Sequence, residues 1–205
     1  MKKSPVKTSS LNKILNILKQ EKTPVKVVIT AFMLGSGAGV AWEEMVGIGT
    51  WHSYHPPLDK FNICFTPPSG CASLIANEIV KAKSSIYLQA YGLTSKPIIR
   101  QLVKAQDRGV RVDILLDGGN LSHNNEVALE LKKAGIKVGI DKISSGIAHN
   151  KVIIIDNYKV VTGSFNFTTA ADTKNAENVL LIEDKDIAQI YLSNWQSRKK
   201  LSIPY

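Results

Sequence analysis

The stretch IAHNKVIIIDNYKVVTGSFNFT, residues 147–168, sets four polar side chains among two runs of valine and isoleucine. The apolar runs meet at Asp-Asn-Tyr, a pattern that predicts a strand, a tight turn and a second strand. Alternate residues of a strand share a face, so His149 and Lys151 point the same way, and so do Ser164 and Asn166. This hairpin can therefore carry one polar site.

The register of the predicted hairpin depends on its turn. A turn centred on residues 157–158 pairs Asp156 with Lys159. In that register Lys151 lies opposite Ser164, and the histidine and asparagine two residues further from the turn also lie opposite each other. All four side chains then meet on one face, whereas a three-residue loop would shift the register by one and break the pairing.

An imidazole, an ammonium group, a hydroxyl and an amide on one patch supply a nucleophile or base and donors for a tetrahedral oxyanion. Phosphate fits such a patch. Glu177, at the start of the later apolar run ENVLLI, could accept the proton on one imidazole nitrogen of His149 and leave the other free for attack. Taken singly, each residue also has a structural explanation. Lys151 and Glu177 could lie at an exposed strand edge, Ser164 and Asn166 in turns, and His149 in the core with its hydrogen bonds satisfied. Taken together, they favour a phosphate site.

The spacing of these residues resembles the signature of the phospholipase D superfamily: His149-x-Lys151-x4-Asp156 followed by Gly163-Ser164-x-Asn166-x-Thr168. The resemblance extends over residues 61–200. It is strongest to the short secreted bacterial members, which include phospholipases D and non-specific endonucleases.

The resemblance implies phosphodiester hydrolysis in two displacements. His149 would attack phosphorus and form a phosphohistidine, while Lys151 with Ser164 and Asn166 would hold the non-bridging oxygens. Glu177 would orient the imidazole. Neither a metal nor a cofactor is required by this chemistry.

Asp156 is the third residue of the motif and is counted with the catalytic residues on that basis. It lies seven residues after His149, which in a regular strand points the two side chains to opposite faces. We therefore expect Asp156 to stabilise the turn or the neighbouring backbone rather than to touch substrate.

The leaving group of such a reaction needs a second histidine as general acid. Long family members carry two copies of the motif, whereas this chain carries one, because none of His52, His55 and His123 is followed by a lysine two residues later. The resemblance therefore implies a two-fold homodimer, with His149 of another subunit completing a shared active site.

Strands and helices alternate from residue 61 onward, which predicts an α/β domain. With the resemblance, the expected fold is a phospholipase D-like α-β-α sandwich around a mixed sheet, over residues 61–205. Besides the hairpin, the predicted strands are 62–66, 85–91, 110–117, 136–140 and 177–182, and the predicted helices are 72–83, 96–108, 124–134 and 185–200.

Most of the positive charge lies at the N-terminus. The chain of 205 residues has a formal net charge of +9, and residues 1–26 hold seven lysines against Glu21. Residues 27–42 follow without a charge, which is typical of a signal peptide and short for a spanning helix of about 20 residues. We expect export, with cleavage after Ala41 or an uncleaved anchor, and residues 43–60 as a connector. A buried helix of a cytosolic protein is the alternative.

Two cysteines, Cys64 and Cys71, enclose six residues that include two prolines and a glycine able to turn the chain back. A disulfide closing this loop would persist in an oxidising compartment. Two unrelated buried thiols are one alternative. A zinc site with His52 and His55 is another, although the spacing is unusual for zinc.

Three functions follow. The first is a secreted phospholipase D-type phosphodiesterase acting on phospholipid head groups, and the second is the same chemistry on DNA or RNA. The modest charge after the leader weakens the nucleic-acid hypothesis, although KAQDRGVR and QSRKK could form local basic patches. The third is a catalytically silent anion-binding module, which would have no need of a nucleophile.

Overall fold

Eight strands and five helices form within residues 60–205, the part of the chain that the computed structural model describes. The expectations for the leader, for most of the connector and for zinc ligands at His52 and His55 lie outside the described residues. The strands are β1 (Phe61–Thr66), β2 (Ser85–Ala90), β3 (Arg111–Asp117), β4 (Lys137–Asp141), β5 (Lys151–Ile155), β6 (Lys159–Gly163), β7 (Glu177–Glu183) and β8 (Ile203–Pro204). The helices are α1 (Cys71–Lys81), α2 (Lys96–Asp107), α3 (Leu121–Lys133), α4 (Thr169–Thr173) and α5 (Lys185–Leu201).

The strands form one mixed sheet in the order β1-β7-β6-β5-β2-β3-β4-β8. β2, β3 and β4 run parallel, with α2 and α3 as their crossover helices, and the other neighbouring pairs run antiparallel. One edge of the sheet therefore gathers the ends of β1, β2, β3 and β6 with the starts of β5 and β7. The predicted α/β class with a mixed sheet is confirmed.

Helices cover both faces of the sheet. The larger core lies under α1, α2 and α3, which bury Ile79, Leu102 and Leu131. The smaller core lies under α5, which buries Leu192 and Trp195. Among the helices of residues 60–205, none is long and apolar enough to cross a membrane.

Strand β5 shows why the central strands have continuous apolar sequences. Ile153 and Ile155 enter the larger core, whereas Val152 and Ile154 enter the smaller one. Because both faces of the sheet are covered, the alternation of apolar and polar residues is lost. Each of these side chains contributes about 1.5–3 kcal/mol of burial free energy.

Two short elements were not predicted. Helix α4 has five residues and begins after Thr168, whose Oγ1 accepts a hydrogen bond from Ala171 N at 3.2 Å. Threonine is a favoured N-cap residue, but a helix of about one turn is too short to show an apolar period. β8 has two residues and pairs with β4.

The turn between β5 and β6 has three residues, so the predicted register is wrong by one. Ile155 pairs with Lys159, the residue that the prediction paired with Asp156. The first two turn residues both have φ 54°, a left-handed conformation that aspartate and asparagine tolerate better than most residues. Extended to the start of β5, this register no longer places Lys151 opposite Ser164.

Asp156 connects this turn to the start of β2 through hydrogen bonds. Its carboxylate accepts hydrogen bonds from the backbone N–H groups of Lys83, Ser84 and Ser85 at 2.7–3.2 Å, and from Ser84 Oγ at 2.9 Å. Lys151 lies at the other end of β5, five residues and about 16 Å away. Asp156 therefore stabilises backbone, as its spacing from His149 led us to expect.

Replacing this carboxylate tests its structural role. Burial raises the pKa of Asp156, but the hydrogen bonds from Ser85, Ser84 and Lys83 outweigh it, and the net pKa is below the ordinary value. A carboxyl with a lowered folded pKa adds stability above the unfolded pKa, about 3.9, and loses it as the pH falls through the folded pKa. We expect Asp156→Asn to lower the free energy of unfolding by about 1–3 kcal/mol at neutral pH.

Urea unfolding of both proteins across the acid range measures this effect. The gap between wild type and Asp156→Asn should narrow as the pH falls below about 3.9. A gap that stays constant with pH would argue against the carboxylate as its source.

Cys64 in β1 and Cys71 at the start of α1 are joined by a disulfide, with their Cα atoms 5.7 Å apart. The pair is therefore neither two separate thiols nor two zinc ligands. The bond connects the edge strand β1 to helix α1, and it closes a short loop beside the end of β1.

Removing this disulfide should destabilise the protein. The chain-entropy relation gives about 2.5 kcal/mol for a loop of this size. We expect Cys64→Ala/Cys71→Ala to lose about that much unfolding free energy in oxidising buffer. Dithiothreitol should lower the stability of wild type and leave the double variant unchanged, whereas equal sensitivity of the two proteins would contradict the assignment.

Candidate active site

The predicted site residues lie where β2 ends and β5 begins. Ala90, the last residue of β2, pairs with Lys151. A hydrogen bond from Tyr91 N to Asn150 O, at 3.1 Å, continues this pairing beyond the end of β2. His149 lies two residues before the start of β5 and is exposed. The backbone therefore delivers His149 and Lys151 to the same edge of the sheet.

The ring of Tyr91 contacts both side chains. The Tyr91 and His149 ring centroids are 4.8 Å apart, with an interplanar angle of 65°, an edge-to-face arrangement that aromatic pairs favour. Lys151 Nζ lies 5.5 Å from the centroid of the same tyrosine ring, within cation–π range. Tyr91 thus holds the imidazole and the ammonium group beside each other.

Lys151 is buried, with 7% of its surface exposed. Burial lowers the pKa of Lys151, and the negative charge of Glu177 partly offsets this shift. Among the described residues, Nζ makes one hydrogen bond, to His149 O at 2.8 Å. Two ammonium N–H groups therefore remain for an anion.

A buried carboxylate holds the backbone just before His149. Asp117, at the end of β3, accepts hydrogen bonds from Ala148 N at 2.6 Å and from Asn120 N at 2.7 Å. Because Ala148 directly precedes His149, these contacts fix the backbone from which the His149 side chain projects. Asp117 is a positioning residue.

Two asparagines beside β2 hold its end in place. Asn120 Nδ2 and Asn124 Nδ2 both donate to Tyr91 O at 2.8 Å. Asn124 Oδ1 also accepts from Leu93 N at 3.0 Å, and the whole residue is buried. The backbone of Tyr91 is therefore fixed by α3 and the residue before it, while the tyrosine ring faces the site.

Ser164 reaches the site through a bend rather than through strand pairing. β6 ends at Gly163, where φ is 147° and a Cβ would collide with the carbonyl oxygen of Asn178, so glycine is required. After the bend, Ser164 Oγ donates to Glu177 Oε2 at 2.6 Å and accepts from Asn178 N at 3.0 Å.

Asn166 lies close to the backbone at the end of β2. A Cβ on Gly92 would lie 3.9 Å from Asn166 Cβ and 3.2 Å from Thr168 Cγ2. Phe167 N also donates to Gly92 O at 3.1 Å. Asn166 Oδ1 is buried and has no hydrogen-bond partner within residues 60–205. Oδ1 only accepts hydrogen bonds, so an anion bound by this side chain would have to use the amide nitrogen, Nδ2.

Glu177 does not contact the imidazole of its own chain. Its two carboxylate oxygens accept hydrogen bonds from Ser164 Oγ at 2.6 Å and from Asn175 Nδ2 at 3.0 Å. Within residues 60–205, neither ring nitrogen of His149 makes a hydrogen bond. The predicted pairing of Glu177 with His149 is therefore wrong for the single chain. Glu177 instead holds Ser164 and acts on Lys151 through its charge.

Comparison with known proteins agrees with this geometry. Residues 75–198 match the family described as "Cardiolipin synthase, PLD-like domain". A "Phospholipase D" of Rickettsia felis is 46% identical over 198 residues, which cover 89% of this chain and 98% of that protein. The chain belongs to the phospholipase D superfamily.

Further members of the superfamily share the fold or part of the sequence. Nuc of Salmonella typhimurium, described as a phospholipase D family member, has a solved structure with a TM-score of 0.68 and 36% identity to this chain, covering 71% of it and 97% of Nuc. The "Mitochondrial cardiolipin hydrolase" of Mus musculus is 32% identical over 139 residues, covering 63% of this chain and 62% of that protein.

Membership in the phospholipase D superfamily confirms the predicted enzyme class. The chain is a phosphodiesterase of this superfamily, and the alternative of a silent anion-binding module is set aside. Within residues 60–205, no three His, Cys, Asp or Glu side chains cluster closely enough to hold a metal ion. The donors with which this site could bind an anion are the ammonium group of Lys151 and the amide nitrogen of Asn166.

Sequence reasoning missed four positioning residues of this site, namely Tyr91, Asp117, Asn120 and Asn124. Tyr91 ends the predicted strand 85–91, but its contacts with two side chains come from the pairing of β2 with β5. Asp117, Asn120 and Asn124 were not identified at all. Asp117 carries a usable signal, because a carboxylate at the carboxyl end of a buried parallel strand often lies at a ligand site.

Proposed function

We propose that this protein is an exported phospholipase D-type hydrolase, which cleaves phospholipid head-group diesters through a phosphohistidine at His149. The observation that carries the proposal is an exposed imidazole, with both ring nitrogens unbonded within the described residues, beside the buried ammonium group of Lys151. The name of the 46% identical relative supports a phospholipid substrate.

In the first displacement, a ring nitrogen of His149 attacks phosphorus. The P–N bond forms as the bond from phosphorus to the head-group oxygen breaks. The ammonium group of Lys151 and the amide of Asn166 hold the non-bridging oxygens, whose negative charge grows in the transition state. The departing oxygen takes a proton from a second imidazole, which acts as general acid.

The second displacement restores the enzyme. Water attacks phosphorus, and its proton passes to the second imidazole, which is now the general base. The P–N bond breaks, His149 is regenerated, and the product is a phosphomonoester. Tyr91 and Asp117 keep the nucleophile in place in both steps, because they contact its ring and its preceding backbone.

We assign the second imidazole to His149 of another copy of the chain. The His-x-Lys pattern occurs once in 205 residues. The other histidine of residues 60–205 is His123, exposed on α3 with Nδ1 3.3 Å from Ser122 Oγ. A two-fold axis beside His149 would bring two identical imidazoles to one phosphorus atom.

Light scattering and dilution test this dimer. We expect the mass of two chains, and a specific activity that falls once dilution separates them. If His149→Ala and Lys151→Ala are each inactive, mixing them should not restore full activity, because every assembled site lacks a needed group. A monomer that is fully active at low concentration would contradict the shared site.

A nucleic-acid substrate is the second candidate, and one observation favours it. Lys96, Arg100 and Lys104 are exposed and follow one another every fourth residue along α2. Their Cα atoms are spaced about 6 Å apart on one face of the helix. Such a row suits a chain of phosphates.

One experiment separates the two substrates. Purified protein is offered phosphatidylcholine vesicles and plasmid DNA side by side, with and without a chelator, beside His149→Ala. We expect head-group release that needs His149 and survives the chelator. Nicking without head-group release would select the nucleic-acid alternative, and loss of activity with the chelator would contradict the metal-free mechanism.

Export is the remaining part of the proposal. The Cys64–Cys71 disulfide supports it, because such bonds persist in oxidising compartments. The uncharged residues 27–42 after a lysine-rich start support it as well. Fractionation of the producing cells with thiol labelling is the test, and a cytoplasmic protein with both cysteines reduced would contradict export.

A further inference from the structure

The disulfide loop, residues 64–71, presents apolar side chains to solvent. Phe65 is 63% exposed, and Ile63, two residues earlier on the same face of β1, is 58% exposed. Pro67 and Pro68 within the loop are exposed as well. No charged residue occurs from residue 61 to residue 77. This surface could therefore enter an apolar phase without removing any charged side chain of residues 61–77 from water.

The disulfide loop is held rigidly. Besides the disulfide, Thr66 Oγ1 donates to Ala171 O at 2.9 Å and to Asn175 O at 3.0 Å. Asp172 Oδ1 accepts from the backbone N–H groups of Gly70 and Ala72 at 3.1 and 2.9 Å. A surface fixed in this way loses little conformational entropy when it binds.

The disulfide loop lies directly beside the active site. Thr66 pairs with Glu177, and Phe65 pairs with Asn178, the residue whose backbone N–H bonds Ser164 Oγ. The exposed phenylalanine therefore lies on the strand next to residues that shape the phosphate site. When the phosphate of a diester is bound at that site, the groups attached to the phosphate lie close to the loop.

The charges beside the disulfide loop are of both signs, since Glu177 pairs with Thr66 of the loop. Asp172 contacts the loop, but its carboxylate is directed to the loop backbone. Lys174 is exposed on the segment that receives the Thr66 hydrogen bonds. An apolar surface flanked by a cation suits the boundary between acyl chains and lipid phosphates.

We propose that the disulfide loop and the adjoining Ile63 of β1 bind the surface of a phospholipid bilayer, with Phe65 and Ile63 inserted among the lipids. This inference rests on the phospholipid part of the proposed function. A second copy of the chain is the alternative occupant, and the oligomeric state of the Phe65 variants distinguishes it from the bilayer.

Depth-dependent quenching tests the insertion in the full chain. Phe65→Trp is mixed with vesicles of phosphatidylcholine carrying bromine on the acyl chains, and the signal of the parent protein is subtracted. Tyr158→Trp is the matched control, because Tyr158 is an aromatic residue 41% exposed in the turn at the other end of β5. We expect quenching of the added indole at position 65 and none at position 158. Equal signals with brominated and ordinary lipid at position 65 would overturn the proposal.

Hydrolysis provides the second measurement. We expect Phe65→Ser to hydrolyse vesicle phospholipid about tenfold more slowly, since one buried apolar side chain is lost from the interface. Its hydrolysis of soluble bis(4-nitrophenyl) phosphate and its thermal unfolding should match those of wild type, and so should both activities of Tyr158→Ser. An equal loss on both substrates would overturn the proposal, and so would an altered oligomeric state with unchanged vesicle hydrolysis.

The two measurements separate the inference from the proposed function. If wild type hydrolyses neither diester, the proposed function fails, while quenching at position 65 still tests the insertion. If wild type hydrolyses both diesters and position 65 is not quenched, the function stands and the disulfide loop is not the bilayer contact.

Discussion

His149→Ala is expected to lower phosphodiester hydrolysis by about 10⁴-fold or more, because the variant lacks the nucleophile that forms the covalent intermediate. The same residue, in a second copy, supplies the proposed general acid, so one substitution removes both groups. The imidazole is exposed, so the free energy of unfolding should change by at most about 0.5 kcal/mol. Initial rates on a soluble diester and urea unfolding measure the two effects.

His123→Ala is the matched control for this prediction. His123 is an exposed histidine on α3 near the same edge of the sheet, and its neighbour Asn124 holds Tyr91 O. We expect near wild-type rates from His123→Ala. An inactive His123→Ala variant would place the second imidazole within the same chain, and an active His149→Ala variant would remove the nucleophile from the account.

Gly163→Ala should destabilise the protein by about 3 kcal/mol or more and also impair activity. The added Cβ would collide with Asn178 O at a left-handed φ of 147°, so conformational strain and overpacking add together. Relief of the collision must move β6 away from β7 at the point where Ser164 meets Glu177. We expect a lower urea midpoint together with at least about tenfold slower hydrolysis.

Gly109→Ala separates these two causes. Gly109 also has a left-handed φ, 85°, but nothing lies within 4 Å of a Cβ built on it. It should lose about 1 kcal/mol from backbone strain alone and keep its activity. If Gly163→Ala behaves like Gly109→Ala, the close packing against Asn178 does not shape the site.

Much of the fold follows from local sequence patterns. The strands β2, β3 and β5 are continuous apolar runs because both faces of the sheet are covered, and Gly109 and Gly135 end the helices before β3 and β4. These signals are contained within single elements. For that reason the α/β class and the order of the elements could be predicted without any tertiary information.

The assembly of the site could not be predicted in the same way. The sequence Asp-Asn-Tyr is compatible with a turn of two residues and with a turn of three. The left-handed conformations of Asp156 and Asn157, which accompany the three-residue turn, are seen only in the folded chain. The one-residue shift makes the pairing argument fail, yet Ser164 still reaches Glu177, because Gly163 bends the strand against Asn178. That packing is a contact between β6 and β7.

The positioning residues depend on contacts even further apart in sequence. Asp117 and Ala148 are separated by 31 residues, and so are Leu93 and Asn124. Such contacts arise from the order of strands in the sheet, which no local pattern contains. The side chains proposed to carry the chemistry could thus be named from the sequence, but not the groups that hold them.

The central claim is that His149 forms a covalent bond to phosphorus and that water then replaces it. The most direct measurement is the stereochemical course of hydrolysis of a diester made chiral at phosphorus with sulfur and oxygen isotopes. Two in-line displacements invert the configuration twice, so the account predicts net retention. Net inversion would show that water attacks the substrate directly, and it would contradict the role of His149 as nucleophile.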